Sequence, residues 1–251
     1  MVWLNFKVNA MTDKPNGYVL WRGRSQLDGA PIVAIATGLE KKSTNTKTGA
    51  MIQTWIIRED VEPTIAMKTG KDASICGDCQ SRGGACYVLV FQAPLNVYRS
   101  FHRGLYPAVD SLEHIEELFA GHNVRLGSYG DPAAVPTKIW RAFTRKAQSR
   151  VGYTHQWRAC DQSLSTLIMA SVDSEDERSQ ANAKAWRTFR VKAQGAPSMQ
   201  GEITCPASKE AGYRTTCENC GLCGGSDKRA KDIVIEAHGH GAKKHHAGIA
   251  A

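Results

Sequence analysis

The 251-residue chain is predicted to be an α/β protein: a partial or closed β/α barrel with an N-terminal β extension and two cysteine-ligated metal centres. Three observations support this prediction. Short apolar strands alternate with helical segments from about residue 124 onward, which is typical of parallel β-α units. Polar residues follow several of these strands, where a barrel carries its chemistry. Seven of the eight cysteines fall in two short stretches.

Residues 1–16 are predicted to be a flexible leader, and residues 17–70 a β-rich extension. Two β-branched apolar runs in this extension predict a hairpin whose connecting loop is basic and exposed. The runs are 31–37 and 51–57, and the loop is 41–49. A short helix with Pro63 in its first turn is expected to follow and to end at Gly70.

Residues 71–239 are predicted to form the barrel-like domain, and residues 240–251 a basic, histidine-rich tail. Strands are expected where short apolar runs stop at turn residues, and helices where apolar residues recur every three to four positions. The expected strands are 124–128, 151–154, 167–172, 188–191 and 232–236. The expected helices are 94–103, 111–120, 134–149, 161–167 and 174–184, the last opened by a capping box of Ser174 and Glu177.

In a β/α barrel, residues just past the strands ring the carboxyl-terminal mouth. Their side chains here suit proton transfer and hydrogen bonding to a substrate. The candidate catalytic residues are Asp131, His155, Asp173 and His238, with Gly130 and Gln156 beside them. An open, doubly wound sheet would place the same residues at its edge, so both topologies stay open at this point.

The second cysteine set comprises Cys205, Cys217, Cys220 and Cys223, the last three spaced C-x2-C-x2-C. Thiolates select zinc, copper(I) or iron–sulfur clusters. Zinc sites are usually built from two separated C-x2-C pairs, whereas three thiols at steps of three are typical of a loop around an iron–sulfur cluster. Four thiols can saturate a centre, which predicts a structural or electron-relay role.

The first cysteine set comprises Cys76, Cys79 and Cys86 in a glycine-rich loop. Three thiolates on a four-iron cluster leave one iron open to a substrate or cofactor, so this set is the predicted centre of chemistry. A zinc ion would need a fourth ligand, such as His155, His238 or Cys160. Cys160 is otherwise predicted to be a packing residue.

The formal charge of +8 suits contact with a polyanion, and six basic residues occupy an interval free of acids. They are Lys138, Arg141, Arg145, Lys146, Arg150 and Arg158. Either a solvated helix face or a nucleic-acid contact explains them.

No apolar run reaches the length of a membrane span and no signal peptide is recognisable, so a cytoplasmic location is expected. Clustered cysteines in a reducing cytosol more often bind metal than form disulfides.

From about Gly17 to Gly239 the chain resembles a family of phage and plasmid proteins that has no established activity. The matching segments include 27–33, 76–87, 124–132, 152–157 and 205–223. The resemblance implies a protein that works in the cytosol of a bacterial host.

More distantly, the chain is similar to radical S-adenosylmethionine proteins in its early three-cysteine loop ending in Cys86-Tyr87 and its C-terminal second set. Its gaps of two and six residues differ from the C-x3-C-x2-C spacing of that superfamily. The similarity implies an open 4Fe–4S cluster on the first set. Gly130, Asp131 and Gln156 are the corresponding candidates for binding the S-adenosylmethionine.

Two functions therefore compete. The first is a radical-SAM-like iron–sulfur enzyme with an open and a closed cluster and an unknown substrate. The second is a zinc-stabilised nucleic-acid-binding protein of phage or plasmid replication, in which the basic segment Lys138–Arg158 contacts phosphates. A purely structural metalloprotein is the third reading.

Overall fold

A computed structural model describes residues 14–82, 86–227 and 229–238 of the chain. Most of the predicted leader and all of the predicted tail lie outside them. The strands are β1 Gly17–Arg24, β2 Pro31–Thr37, β3 Ile52–Arg58, β4 Asn123–Tyr129, β5 Ser149–Thr154, β6 Met169–Val172, β7 Thr188–Lys192, β8 Glu202–Thr204 and β9 Asp232–Glu236. The helices are α1 Pro63–Lys68, α2 Ala73–Cys76, α3 Ala93–His102, α4 Leu112–Leu118, α5 Thr137–Arg145, α6 Glu175–Ala183 and α7 Cys217–Cys220.

The first three strands form the predicted antiparallel β extension. β2 pairs with β1 on one side and with β3 on the other, and its apolar residues are fully buried. The loop between β2 and β3 was expected to be exposed. Lys41 and Lys42 are exposed, but Thr48 and Met51 are buried. Residues 44–46 are exposed as well, so the exposed-loop prediction is wrong only for Thr48, which contacts a distant part of the chain.

The remaining strands are parallel and follow one another in chain order, except that β9 lies between β7 and β8. The full order is β1-β2-β3-β4-β5-β6-β7-β9-β8, with every pairing from β3 to β8 parallel. Doubly wound sheets reverse their strand order near the middle, and this sheet does not. Its edges in the described residues are β1 and β8, so the sheet is open. The closed form of the predicted barrel is wrong.

Helix lengths differ from the prediction around α5. The helix expected over 134–149 is interrupted by Pro136, so that a 3-10 turn at Pro132–Ala134 precedes the helix proper. After α5 the chain turns back, because Gly121 donates to the carbonyl of Lys146 and Gln148 donates to that of His122. The segment expected as a helix over 161–167 is likewise a 3-10 helix, Gln162–Thr166.

Side chains alternate between the two faces of each strand. On one face the parallel strands pack against helices, with Trp140 and Phe143 of α5 fully buried. The opposite face, which we call the inner face, carries a second apolar cluster. Its buried members are Met51, Val151, Met169, Phe189, Cys205, Ala207, Cys223, Ile233 and Ile235. The inner face therefore lies against the second cysteine set. None of the described helices has the length and apolar character needed to cross a membrane.

Candidate metal centres

A cavity of about 200 Å³ opens at the carboxyl end of the parallel strands. Its wall is the inner face at the ends of β5, β6, β7 and β9. Its lining includes Cys76, Cys79, Cys86, Gly130, Asp131, His155, Asp173 and His238. The structure thus brings the whole first cysteine set together with five of the six candidate residues that follow the strands. Gln156 faces a different, larger depression.

The first cysteine set follows β3, the first parallel strand. Cys76 ends α2, a four-residue helix in a segment where the sequence predicts a loop. Gly77 then takes a left-handed backbone conformation with φ 58°, and a Cβ there would clash with the amide of Gln156. The guanidinium of Arg82 donates to the carbonyl of Gly77 and to the carboxylate of Asp72, both at 2.8 Å. These contacts hold the loop in place independently of any metal.

The thiols of this set are close enough to interact electrostatically. Burial raises the pKa of Cys76 well above its ordinary value, and the charges of Cys79, Asp72 and Cys86 raise it further. Burial also raises the pKa of Cys86, against the lowering effect of the N–H of Val88 at 3.4 Å. A bound metal cation would reverse this preference, because coordination deprotonates a thiol. The environment therefore suits thiolates only when a cation accompanies them.

His155 is in direct contact with the first set. Burial lowers its pKa, but a hydrogen bond to Cys79 and the charges of Cys79, Asp131 and Asp173 raise it to about 9. The imidazole therefore lies where it can exchange a proton with groups in the cavity. This side chain can hold a proton at the cavity wall, as its predicted catalytic role requires.

Asp131 connects three elements of the site. Its carboxylate accepts the N–H of Ala133 at 2.9 Å and the N–H of His155 at 2.8 Å, while its own N–H donates to Ile75 of α2 at 2.6 Å. Burial raises the pKa of this carboxyl, and hydrogen bonds from Thr154, Ala133 and His155 oppose that rise. Asp131 therefore joins the end of β4 to α2 through its backbone N–H and to the end of β5 through its carboxylate, a role that its predicted catalytic one did not include.

Gly130 lines the cavity in a conformation that glycine alone tolerates well. Its φ is 80°, and a Cβ would lie 2.7 Å from both the Cβ and the carbonyl oxygen of Ile56. Gln156 supports the cysteine loop from outside the cavity. Its amide donates to Asp78 at 2.6 Å and to the carbonyl of Cys76 at 3.3 Å.

Asp173 and His238 also line the cavity. The N–H of Asp173 donates to Glu177, the partner of Ser174 in the predicted capping box. Nδ1 of His238 lies 2.9 Å from the carbonyl of Glu236. The ring of His238 stacks on Tyr87 with centroids 6.2 Å apart, so the cysteine loop and the end of β9 meet at the rim of the cavity.

The second cysteine set lies against the amino-terminal half of the inner face. Cys205 follows β8 and donates its N–H to Val234 at 2.8 Å, and the carbonyl of Cys223 accepts the N–H of Gly152 at 3.2 Å. Cys217 and Cys220 begin and end α7. Burial raises the pKa of Cys223 to about 12; a hydrogen bond from Tyr153 opposes this, and the charges of the other three thiols add to it. All four thiols therefore interact.

Arg187 anchors the loop that carries Cys223. Its buried guanidinium donates to the carbonyls of Leu222, Gly225, Ala230 and Lys231. A buried guanidinium is stable only when its donors are satisfied, so these bonds fix the path of the loop. Arg187 is not among the site residues that the sequence predicts.

The loop between β2 and β3 covers the second set from the other side. The N–H of Cys217 donates to Lys47 at 2.8 Å, and that of Glu218 donates to Thr48 at 3.2 Å. In return, the carboxylate of Glu218 accepts the N–H of Ala50 at 2.9 Å. These bonds explain why this part of the loop is buried.

No group of three or more His, Cys, Asp or Glu side chains within the described part of the chain is arranged to hold one metal ion. The fit of a metal therefore rests on the donor chemistry. Three and four mutually interacting thiols match iron–sulfur clusters, in which each iron takes its own thiolate. Cys160 packs against the helical face of the sheet, as predicted for a packing residue.

The basic segment 138–158 is largely neutralised within the chain. Four of its six cations form ion pairs: Arg145 with Glu116, Lys146 with Glu117, Arg150 with Asp227 and Arg158 with Glu177. Lys138 and Arg141 have no ion pair among the described residues. The acids that the interval itself lacks come from other elements, which sequence distance concealed.

Comparison with known proteins gave no match. No family model matches the chain, and neither the curated proteins nor the solved structures yielded a significant similarity. Both resemblances drawn from sequence motifs therefore remain predictions. The fold and site define the class no further than an α/β protein with one thiol set lining a cavity and a second packed on the inner face of the sheet.

Proposed function

We propose that the chain is a radical-SAM-like iron–sulfur protein with an open cluster on Cys76, Cys79 and Cys86 and a closed cluster on Cys205, Cys217, Cys220 and Cys223. The observation that carries the proposal is the shared cavity. The three-thiol set, which sequence spacing selected, lines one cavity with His155 and Asp173 at the carboxyl ends of parallel strands. Ligands bind at that end of such sheets.

Strand order supports the same proposal. Six parallel strands run in chain order from β3 to β9, and β8 follows at the edge. We infer that this sheet is an arc of a β/α barrel whose inner face is filled by the second cysteine set. The first set follows the first parallel strand of this arc.

The residues of the cavity have separable tasks in this proposal. The open cluster would be held by Cys76, Cys79 and Cys86, and with S-adenosylmethionine it would supply radical chemistry at this cavity. Asp131 holds α2 and β5 in register beneath the first set, and Gly130 keeps the adjacent wall free of a side chain. His155 and Asp173 present a proton donor and a carboxylate to the cavity.

The zinc-stabilised nucleic-acid-binding alternative has less support. A phosphate-binding helix needs free cations, and most cations of the basic segment are ion-paired. We therefore do not propose it as a second function.

Metal analysis tests the proposal. Protein purified without oxygen should be brown, absorb near 400 nm and contain about eight irons, roughly four for each cluster. Cys76→Ser and Cys217→Ser should each lose about half of the iron, because each removes one ligand of one set. Cys160→Ser is the matched control and should keep all of it. Colourless protein with stoichiometric zinc would contradict the proposal.

A further inference from the structure

The cavity at the carboxyl end of the parallel strands has one apolar wall. The side chains of this wall are Phe189 and Val191 on β7, Ile235 on β9 and Ala237 just after it. The ring of Tyr153 packs on that of Phe189 with centroids 4.3 Å apart, which extends the wall to β5. Small-molecule sites are concave surfaces of this kind, in which apolar and aromatic groups cover the body of the ligand.

Two hydroxyl groups in the same cavity have no partner among the residues that the structure describes. Ser171 of β6 lines the cavity with 6% of its surface exposed, and Tyr129 at the end of β4 lines it with 5% exposed. Neither hydroxyl forms a hydrogen bond with the described part of the chain. Neither is among the fully enclosed polar atoms of those residues, so each opens onto the cavity. A buried hydroxyl without a partner is costly, and a ligand that bonds it removes that cost.

Strand pairing places one of these hydroxyls beside the apolar wall. Ser171 is the register partner of Phe189 in the parallel pair β6–β7. Register partners on neighbouring parallel strands lie on the same face, about 4.8 Å apart. A ring that rests on Phe189 therefore has its edge within reach of the Ser171 hydroxyl.

The size of the cavity and its charges limit the ligand further. An engineered apolar cavity of about 150 Å³ binds benzene. At about 200 Å³, this cavity has room for one ring with small substituents. The carboxylate of Asp131 is already satisfied by the N–H groups of Ala133 and His155, and Asp173 also has a partner. The cavity acids therefore do not require a charged ligand.

We propose that this cavity binds a small, uncharged aromatic molecule, a single ring that packs on Phe189 and hydrogen-bonds the hydroxyl of Ser171 through a polar edge. The binding site follows from the geometry of the cavity and needs no bound metal. The inference rests on the proposed function only in naming this ligand as the class of substrate.

Calorimetric titration of the purified full chain with phenol tests the inference. Phenol supplies a ring and a hydroxyl, whereas benzene lacks the hydroxyl and cyclohexanol lacks the planar ring. The wild type should bind phenol more tightly than either of them. Ser171→Ala should weaken phenol binding about five- to tenfold, the typical contribution of one hydrogen bond, and change benzene binding less than about twofold.

Ser198→Ala is the matched control, because Ser198 is exposed and lies outside the cavity lining. It should bind phenol like the wild type. No binding of phenol, or equal affinity for phenol and cyclohexanol, would overturn the proposed ligand class. Phenol binding that is unchanged in Ser171→Ala would overturn the contact with this hydroxyl.

A second variant tests whether the ligand lies in this cavity. Ala237→Leu adds three carbon atoms to the apolar wall and should abolish the binding of all three probes. A variant that is folded by circular dichroism and still binds phenol like the wild type would overturn the inference. Ser171→Ala adds no bulk, so its titration decides the question even where Ala237→Leu does not fold.

Iron content measured on the same samples separates this inference from the proposed function. Colourless protein that binds phenol would support the inference and contradict the proposed function. Iron-containing protein that binds none of the three probes would overturn the inference alone.

Discussion

Individual residues of the site show which properties can be predicted from sequence. Polar residues after strand ends were readable as candidates, and the structure places most of them at one cavity. The partners of these residues were not readable. Asp131 accepts two backbone N–H groups, and its value as a connector depends on α2, which lies more than fifty positions earlier. Tyr153 also lines the cavity, and its place there could have been predicted, because residues two positions apart on a strand share a face and His155 was already a candidate.

The backbone conformation of Gly130 predicts how much a side chain at this position destabilises the protein. Gly130→Ala should destabilise the protein by about 2–4 kcal/mol, because it adds a steric clash with Ile56 to the cost of a left-handed backbone. Gly121→Ala is the matched control, with φ 73° and open space around the added methyl. It should cost only about 1 kcal/mol. Urea unfolding measures both, and equal losses would show that the contact with Ile56 is unimportant.

At the scale of elements, prediction succeeded where local chemistry decides the structure. Apolar β-branched runs became β2, β3 and β6, and the capping box opened α6. β8 was missed because it has three residues and a charged one, Glu202, in a buried position. α2 and α7 are single turns, and their cysteines carry no helix signal. Such elements exist because tertiary contacts hold them.

Glu202 is the buried ionic link between β8 and β7. Its fully buried carboxylate pairs with Arg190 through two bonds of 2.7 Å, and Arg178 lies 3.8 Å away. Glu202→Gln should cost about 3–5 kcal/mol, because it leaves a buried guanidinium without its charge partner. Glu59→Gln breaks a pair with an exposed arginine and should cost far less. Urea unfolding measures both, and similar losses would contradict the assignment.

The same pair predicts a dependence on pH. Burial raises the pKa of Glu202, but the hydrogen bond and charge of Arg190 outweigh this and hold it below its ordinary value of 4.5. A lowered folded-state pKa means that the stabilisation is present above pH 4.5 and is lost as the pH falls through the folded-state value. Acid titration of the unfolding free energy should therefore be steeper for the wild type than for Glu202→Gln.

At the scale of the whole molecule, the sequence predicted the class of fold but not its openness or the stacking of the two cysteine sets along one inner face. Strand order depends on long-range pairing, which no local pattern encodes. The distribution of charge was also hidden, because acids from α4, α6 and the loop before β9 neutralise the basic segment.

This neutralisation predicts weak, non-specific contact with nucleic acid. The double substitution of Lys138 and Arg141 by Gln removes the two exposed cations of the segment that lack ion pairs in the described structure. We expect the salt dependence of any DNA binding to stay unchanged, because the proposed function places no phosphate contact on this segment. Each phosphate contact would contribute about one unit to the slope of log K against log salt concentration. A slope reduced by about two would instead indicate that Lys138 and Arg141 contact phosphates.

The bonds between the β2–β3 loop and α7 also affect the order in which the protein matures during synthesis. Most strands pair with the one made just before them, so the sheet can grow as the chain leaves the ribosome. Ala50 and Glu218, in contrast, are 168 positions apart. Cys76, Cys79 and Cys86 are translated before strands β4 to β9, whereas Cys223 is translated after every strand except β9. The bonds between the β2–β3 loop and α7 therefore form late, and they fasten early-made strands to a segment that follows β8.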